Sequence, residues 1–227
     1  MPVIVVINPK GGVGKSTLAT QVAGYFASQG ASVMLGDLDR QQSGRQWLAL
    51  RPSSAAPIQP WELDPEARKL KVPRGVTHVV LDTPAGFDGK PLREALRMAT
   101  KVVVPLQASV FDMMATRDFL QQLAEHRKLL RQLDVGLVGM RVKEHTIALA
   151  QLRDFVADLP FPLQAVIRDT HNYVHLAAQG LTLFDAGTVR RFERDLAQWE
   201  PLCRWLDAPS QPSLEEAPSP EAPEVWY

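Results

Sequence analysis

Cysteine is nearly missing from this chain: Cys203 stands alone among 227 residues, so no internal disulfide framework holds the fold. No apolar run approaches the roughly 20 residues that a membrane-spanning helix requires. The apolar opening MPVIVVINPKGG has no basic segment ahead of it and reaches Pro9 and two glycines too soon for a secretory signal. It is read as a first strand, and the protein is expected in the cytoplasm. A third scarcity is local. Residues 207–227 carry Asp207, Glu215, Glu216, Glu221 and Glu224 but no Lys or Arg, with Pro209, Pro212, Pro218, Pro220 and Pro223 among Ser and Ala. Such a stretch cannot bury enough apolar surface to offset its ordering entropy, so a disordered acidic tail is expected. Basic and acidic side chains balance at 25 each over the whole chain. Setting the five tail acids aside leaves residues 1–206 with 25 against 20, a net +5.

What is present is a chain with 45% hydrophobic residues, enough for one sizeable core. VIVVI (Val3–Ile7), SVMLGD (Ser32–Asp37), THVVLD (Thr77–Asp82), KVVVPL (Lys101–Leu106) and VGLVGM (Val135–Met140) are short valine-rich runs. Runs of that kind suit parallel strands covered on both faces. Between them, STLATQVAGYFASQG and ATRDFLQQLAEHRKLLRQL space their apolar residues by three and four, as helices do. The alternation predicts an α/β fold, a doubly wound and mostly parallel sheet flanked by helices, over residues 1–206, with ligands beyond the carboxyl ends of the strands. A final amphipathic helix over TVRRFERDLAQWEPLCRWL is expected to turn Phe192, Leu196, Trp199, Leu202 and Leu206 inward and its arginines outward.

The stretch NPKGGVGKST (Asn8–Thr17) follows the first strand and opens the first helix, the context of a phosphate-binding loop. Gly11, Gly12 and Gly14 let backbone N–H groups converge without Cβ interference, and the helix N-terminus adds its dipole. With Val13 between them and Lys15, Ser16 and Thr17 after them, these residues are expected to cradle a nucleoside triphosphate. Lys15 would reach the β- and γ-phosphates and Ser16 would ligate Mg²⁺. Asp82, at the end of an apolar strand, is expected to hold Mg²⁺ through water. Asp37 and Asp39 end another strand in GDLDRQQS, and one of them is a candidate to position an attacking water. The loop is unusual in two ways: Pro9 stands where glycine is standard, and a second lysine, Lys10, precedes Lys15.

With KGGVGKST, DLDRQQS, LDTPAG and VVPLQAS in this order, the chain resembles the ParA/MinD family of deviant Walker A ATPases over most of residues 1–206. The resemblance implies an ATP- and Mg²⁺-dependent homodimer in which Lys10 crosses to the partner's nucleotide. Physically, a cation supplied in trans makes dimer stability depend on the phosphate it touches. By the same resemblance Asp39 matches the acid that orients the hydrolytic water, with Arg40 after it where relatives usually carry proline. Adenine is often held in the family by an asparagine near the end of the strand matching VGLVGMR. Here Gly139 and Met140 stand there, and Met140 and Arg141 are taken as the base-side candidates.

The resemblance further implies nonspecific DNA binding by the dimer, a nucleoid-associated location, and a ParB-like or cargo adaptor protein that stimulates hydrolysis. Candidate DNA contacts are Arg141, Lys143, Arg168, Arg190, Arg191, Arg194 and Arg204. Membrane docking is disfavoured, because the chain ends in acidic, proline-broken EEAPSPEAPEVWY rather than a basic amphipathic helix. Trp226 and Tyr227 make that end either a docking motif or an inert tail. His145, His171 and His175 have no metal-ligand spacing around them and are read as loop or surface residues, Met113 and Met114 as packing residues, and Cys203 as a small core residue. Two other classes remain: a small-molecule ATP-dependent enzyme, which demands a second pocket, and a nucleotide-binding scaffold that scarcely hydrolyses, which Arg40 leaves open.

Overall fold

The computed structural model describes residues 1–61, 74–126, 130–187 and 189–211. Its strands are β1 (Val3–Val6), β2 (Val33–Asp37), β3 (Ile58–Trp61), β4 (His78–Asp82), β5 (Lys101–Gln107), β6 (Asp134–Val142) and β7 (Leu163–Arg168). All seven pair in parallel, in the order β3-β2-β4-β1-β5-β6-β7. The helices are α1 (Lys15–Ser28), α2 (Ser43–Leu50), α3 (Gly89–Met98), α4 (Val110–Glu125), α5 (Ile147–Ala157), α6 (Asn172–Ala177) and α7 (Glu193–Asp207).

Alternation along β1 divides the core. Ile4 and Val6 face a layer with Leu18, Val22 and Phe26 of α1 and Trp199 and Leu202 of α7. Val3, Val5 and Ile7 face the opposite layer, with Leu96 of α3, Leu120 and Leu123 of α4, and Leu152 and Phe155 of α5. This two-sided covering is why the strands read as unbroken apolar runs. Although first in the chain, β1 lies in the middle of the sheet, so the loop after it opens at the centre of the carboxyl edge.

Two strands escape a search for such runs, and both are edges. Pro60 interrupts β3, tolerable at an edge where one N–H has no ladder partner. β7 is only partly buried along Leu163–Arg168, so its pattern is mixed. The last helix is turned as expected, with Phe192, Trp199, Leu202 and Leu206 buried, Leu196 half-buried, and Arg191, Arg194 and Arg204 exposed. Residues 207–211 of the expected tail fall within the described residues. Asp207 closes α7 and accepts a hydrogen bond from the Tyr25 hydroxyl at 2.5 Å, while the Gln211 N–H donates to Asp134 at 3.2 Å. The remainder of the expected tail, 212–227, lies outside the described residues.

One buried ion pair ties the end of α2 to the far side of the domain. Arg51 donates five hydrogen bonds: two to the Ala56 carbonyl, one to the Gly180 carbonyl and a two-pronged pair to Asp185 at 2.7 and 2.9 Å. Both side chains are about 95% buried, so removing one partner strands a charge away from water. Arg51→Ala is expected to cost about 3–5 kcal/mol of unfolding free energy. Urea denaturation measures it, and a loss below about 1 kcal/mol would show that the pair contributes no more than an exposed one.

Candidate functional site

The loop between β1 and α1 is held from beneath by Asn8, which is fully buried. Its Nδ2 donates to the Pro105 carbonyl at 2.8 Å and to the Thr116 hydroxyl at 2.9 Å, and its Oδ1 accepts the Lys10 N–H at 2.9 Å. Further braces come from Gly86, whose N–H donates to the Pro9 carbonyl, and from Gln107, whose Nε2 donates to the Gly12 carbonyl. Gly14 has φ 98° directly before α1, and a Cβ there would also meet the Met140 side chain at 3.0 Å, so both backbone and space demand glycine. Val13 is buried, Gly11 and Gly12 are exposed, and Ser16 and Thr17 are half-buried at the mouth of α1.

The two lysines go different ways. Lys15 is buried, and its Nζ donates to the Lys10 carbonyl at 2.6 Å, folding over the loop. Burial pulls its ammonium below the ordinary lysine range, with Asp82 and Asp39 pulling the other way. Lys10 instead leaves the loop toward α4, its Nζ 4.0 Å from Asp112 and its side chain 42% exposed. Around it on α4 stand Val110, Phe111 and Met114, large apolar side chains 59, 78 and 60% exposed. Met113, the other methionine of this segment, is buried.

Three carboxylates meet the loop from β2 and β4, which pair so that Asp37 lies beside Asp82. Asp37 spends both oxygens on backbone, accepting the Asp39 N–H at 2.9 Å and the Gly44 N–H at 2.7 Å. It therefore shapes the turn into α2. Asp39 is half-buried and accepts a single N–H, from Gln41. Asp82 is buried with neither oxygen in a hydrogen bond of ordinary geometry. Burial pushes its carboxyl up to about 7, helped by Asp37 and Asp39, while the nearby Ser16 hydroxyl and Lys15 oppose the rise. An unpartnered carboxylate beside a hydroxyl is a hard-oxygen donor set that fits Mg²⁺. Ser16 and Asp82 would hold that ion, which when bound neutralises charge on a polyphosphate.

Beside the loop, a cleft of about 560 Å³ opens beyond β6 and β7. Gly14, Thr17, Met140 and Arg141 line it, as do Arg168, Asp169 and Thr170 from the end of β7, and His171 and Tyr173 at the start of α6. Arg141 has φ 52°, where the β6–β7 register shifts, a left-handed backbone uncommon outside glycine and frequent at functional sites. Of this lining, sequence reading named Gly14, Thr17, Met140 and Arg141 for the nucleotide, and Arg168 for a different role. It passed over Asn8, whose place inside the motif was a usable signal, while His171, read as a loop or surface residue, is exposed in the turn before α6 and lines the cleft. His145 and His175 are away from the cleft lining, and among the described residues no cluster of three metal-binding side chains occurs.

The state of Asp82 makes a measurable difference. Its carboxyl, at about 7 in the fold against 3.8 ordinarily, stays protonated where the unfolded chain is already ionised, so the empty fold loses stability as pH rises from about 3.8 and the loss is complete by about pH 7. Asp82→Asn removes this cost. The ligand-free variant is expected to gain on wild type by about 1–3 kcal/mol between roughly pH 5 and pH 8, while losing Mg²⁺-dependent nucleotide binding. Thermal unfolding across that range reads the first effect, and a pH-independent difference between the two proteins would refute it.

The sequence and the fold are matched by known proteins. Residues 4–183 match the model of the CobQ/CobB/MinD/ParA nucleotide-binding domain. The carboxysome distribution maintenance protein A of Gloeobacter kilaueensis is 30% identical over 147 residues, 62% of this chain and 68% of that one. Among solved structures, MinD of Aquifex aeolicus, in its complex with MinC, superposes with a TM-score of 0.67 at 17% identity, over 91% of this chain and 95% of that one. Cobyrinic acid a,c-diamide synthase of Mycobacterium smegmatis, with bound ADP and magnesium, superposes with a TM-score of 0.62 at 21% identity, over 78% and 92%. At those identities the two structures establish the shared fold, and the domain match over most of the chain establishes descent: this protein belongs to the CobQ/CobB/MinD/ParA nucleotide-binding family.

Proposed function

We propose that the protein is an ATP-hydrolysing switch that dimerises when ATP and Mg²⁺ are bound, then holds nonspecific DNA and positions a cargo, with an adaptor protein stimulating hydrolysis. The observation that carries this reading is the divergence of the two lysines. Lys15 lies over its own loop, whereas Lys10 is half-exposed at a rim with Val110, Phe111 and Met114, an apolar surface that a second copy would cover. In such a dimer Lys10 meets the phosphates of the partner's nucleotide, and the contact disappears when phosphate leaves. The cleft beside Met140 and Arg141 takes the nucleoside, Gly11 to Thr17 take the phosphates, and Asp39, with one oxygen uncommitted, orients water. The carboxysome-distribution relative supports a protein assembly as the cargo.

For DNA, the exposed candidates are Arg141, Lys143, Arg190, Arg191, Arg194 and Arg204. Arg168 is half-buried and paired with fully buried Asp195, which makes it the weakest of the expected contacts, while Arg194 is paired with Glu144 but remains exposed. Among the described residues no helix is long and apolar enough to cross a membrane.

A second reading draws on a separate polar cleft of about 340 Å³, lined by Asp37, Gln42, Arg45 and Trp61 beyond β2 and β3. It offers the extra pocket that an ATP-dependent small-molecule enzyme, like the synthase in the same family, requires.

Solution mass with ADP or ATP, each with Mg²⁺, separates these readings. Wild type is expected to double its mass only with ATP and then to retain random duplex DNA. Lys10→Ala should remain monomeric and unbound; a wild type whose mass ignores nucleotide would overturn the switch and favour the synthetase. In the same assay Asp39→Ala is expected to dimerise and stay dimeric, with turnover lowered about 100-fold or more. Unchanged turnover would remove Asp39 from the role.

A further inference from the structure

Helix α7 is far from the phosphate loop in sequence, yet its polar contacts, part-buried for the most part, grip two segments of the cleft wall and the turn after β6. Asp195 is fully buried on α7. Its Oδ1 accepts from Arg168 Nε at 2.5 Å and its Oδ2 from Asn172 Nδ2 at 2.6 Å, so one carboxylate joins the end of β7 to the start of α6. One turn further along, Gln198 Oε1 accepts the Arg168 N–H at 2.9 Å while its Nε2 donates to Glu144 at 2.8 Å, in the turn between the left-handed residues Arg141 and His145. Arg194 holds the other Glu144 oxygen. Finally, Trp199 Nε1 donates to the Tyr173 hydroxyl at 2.8 Å inside the core.

Arg141, Arg168 and Tyr173 all line the 560 Å³ cleft. None of these contacts reaches Gly11, Gly12 or Lys15. The phosphate end of the site is braced by Asn8, Gly86 and Gln107, and the far end by α7. We infer that Asp195 is a positioning residue for the nucleoside end of the site: by fixing Arg168 and Asn172 together it sets the wall against which the base and ribose lie. The inference rests on reading the cleft as the nucleoside site. A carboxylate that merely neutralised Arg168 would leave base-side and phosphate-side binding equally dependent on it. A positioning carboxylate makes them separable, because a wall misplaced by even an ångström loses contacts that the phosphate loop keeps.

The test titrates Mg·ATP and Mg·tripolyphosphate into the full chain by calorimetry, tripolyphosphate carrying the phosphates without the nucleoside. Wild type is expected to prefer ATP by about tenfold or more. Asp195→Asn, the same shape without the charge, should weaken ATP about tenfold and leave tripolyphosphate within about twofold. Gln198→Ala, half-exposed and safer for folding, should show a smaller loss of the same kind and serves alone if Asp195→Asn does not fold. Equal losses on both probes, or ATP affinity unchanged in a folded variant, would overturn the positioning role. If wild type itself binds both probes alike, the nucleoside reading of the cleft falls and the inference with it. That result needs no variant and is therefore distinct from the first two.

Discussion

Everything at the carboxyl edge depends on one buried amide. Asn8 sits fully buried where the central strand ends and divides its hydrogen bonds among β5, α4 and the loop it belongs to. Each bond lost there leaves a buried polar atom unpaired, which costs more than the bond is worth on the surface. The loop after β1 is therefore built into the sheet before any ligand arrives. An anion meets N–H groups already converged, and little ordering entropy is left to oppose it. The same side chain fixes the backbone of Lys10, so the direction in which that lysine departs is set by the core and not by the surface.

Against this rigid frame the charges are poorly satisfied. Lys15 and Asp82 are both buried, both pushed toward their neutral forms, and Asp82 has no partner of ordinary geometry. Natural folds keep such groups where function needs them. A polyphosphate with a divalent cation supplies what each one lacks, negative charge for the ammonium and positive charge for the carboxylate. Stability of the empty fold is thereby exchanged for affinity, and binding has a favourable electrostatic contribution that a well-paired site would not offer.

The sheet and the phosphate loop were legible because their chemistry leaves few alternatives: strands covered on both faces must be apolar throughout, and a backbone cradle needs glycine where φ is positive, as at Gly12 and Gly14. Residue pattern alone did not separate Asp37 from Asp39, since one ends β2 and the other follows two residues later. What separates them is that Asp37 is consumed by the N–H of Gly44, seven residues on, a turn geometry invisible in composition. The ion pairs of Arg168 and Arg194 were hidden for a related reason. Their partners, Asp195 and Glu144, lie 27 and 50 residues away, and only the packing of α7 across β7 brings them together. The cleft walls around Thr170 and Tyr173 follow an edge strand whose mixed pattern hid it.

The contact between the two lysines makes the empty loop self-sealing. With its ammonium on the Lys10 carbonyl, Lys15 already has a hydrogen-bonded neighbour, so an entering anion must displace a bond of about 1.5–3 kcal/mol before it gains its own. A single inorganic phosphate recovers that loss with few contacts. A triphosphate spreads it over many. The same carbonyl contact therefore weighs more heavily against a small anion than against a large one.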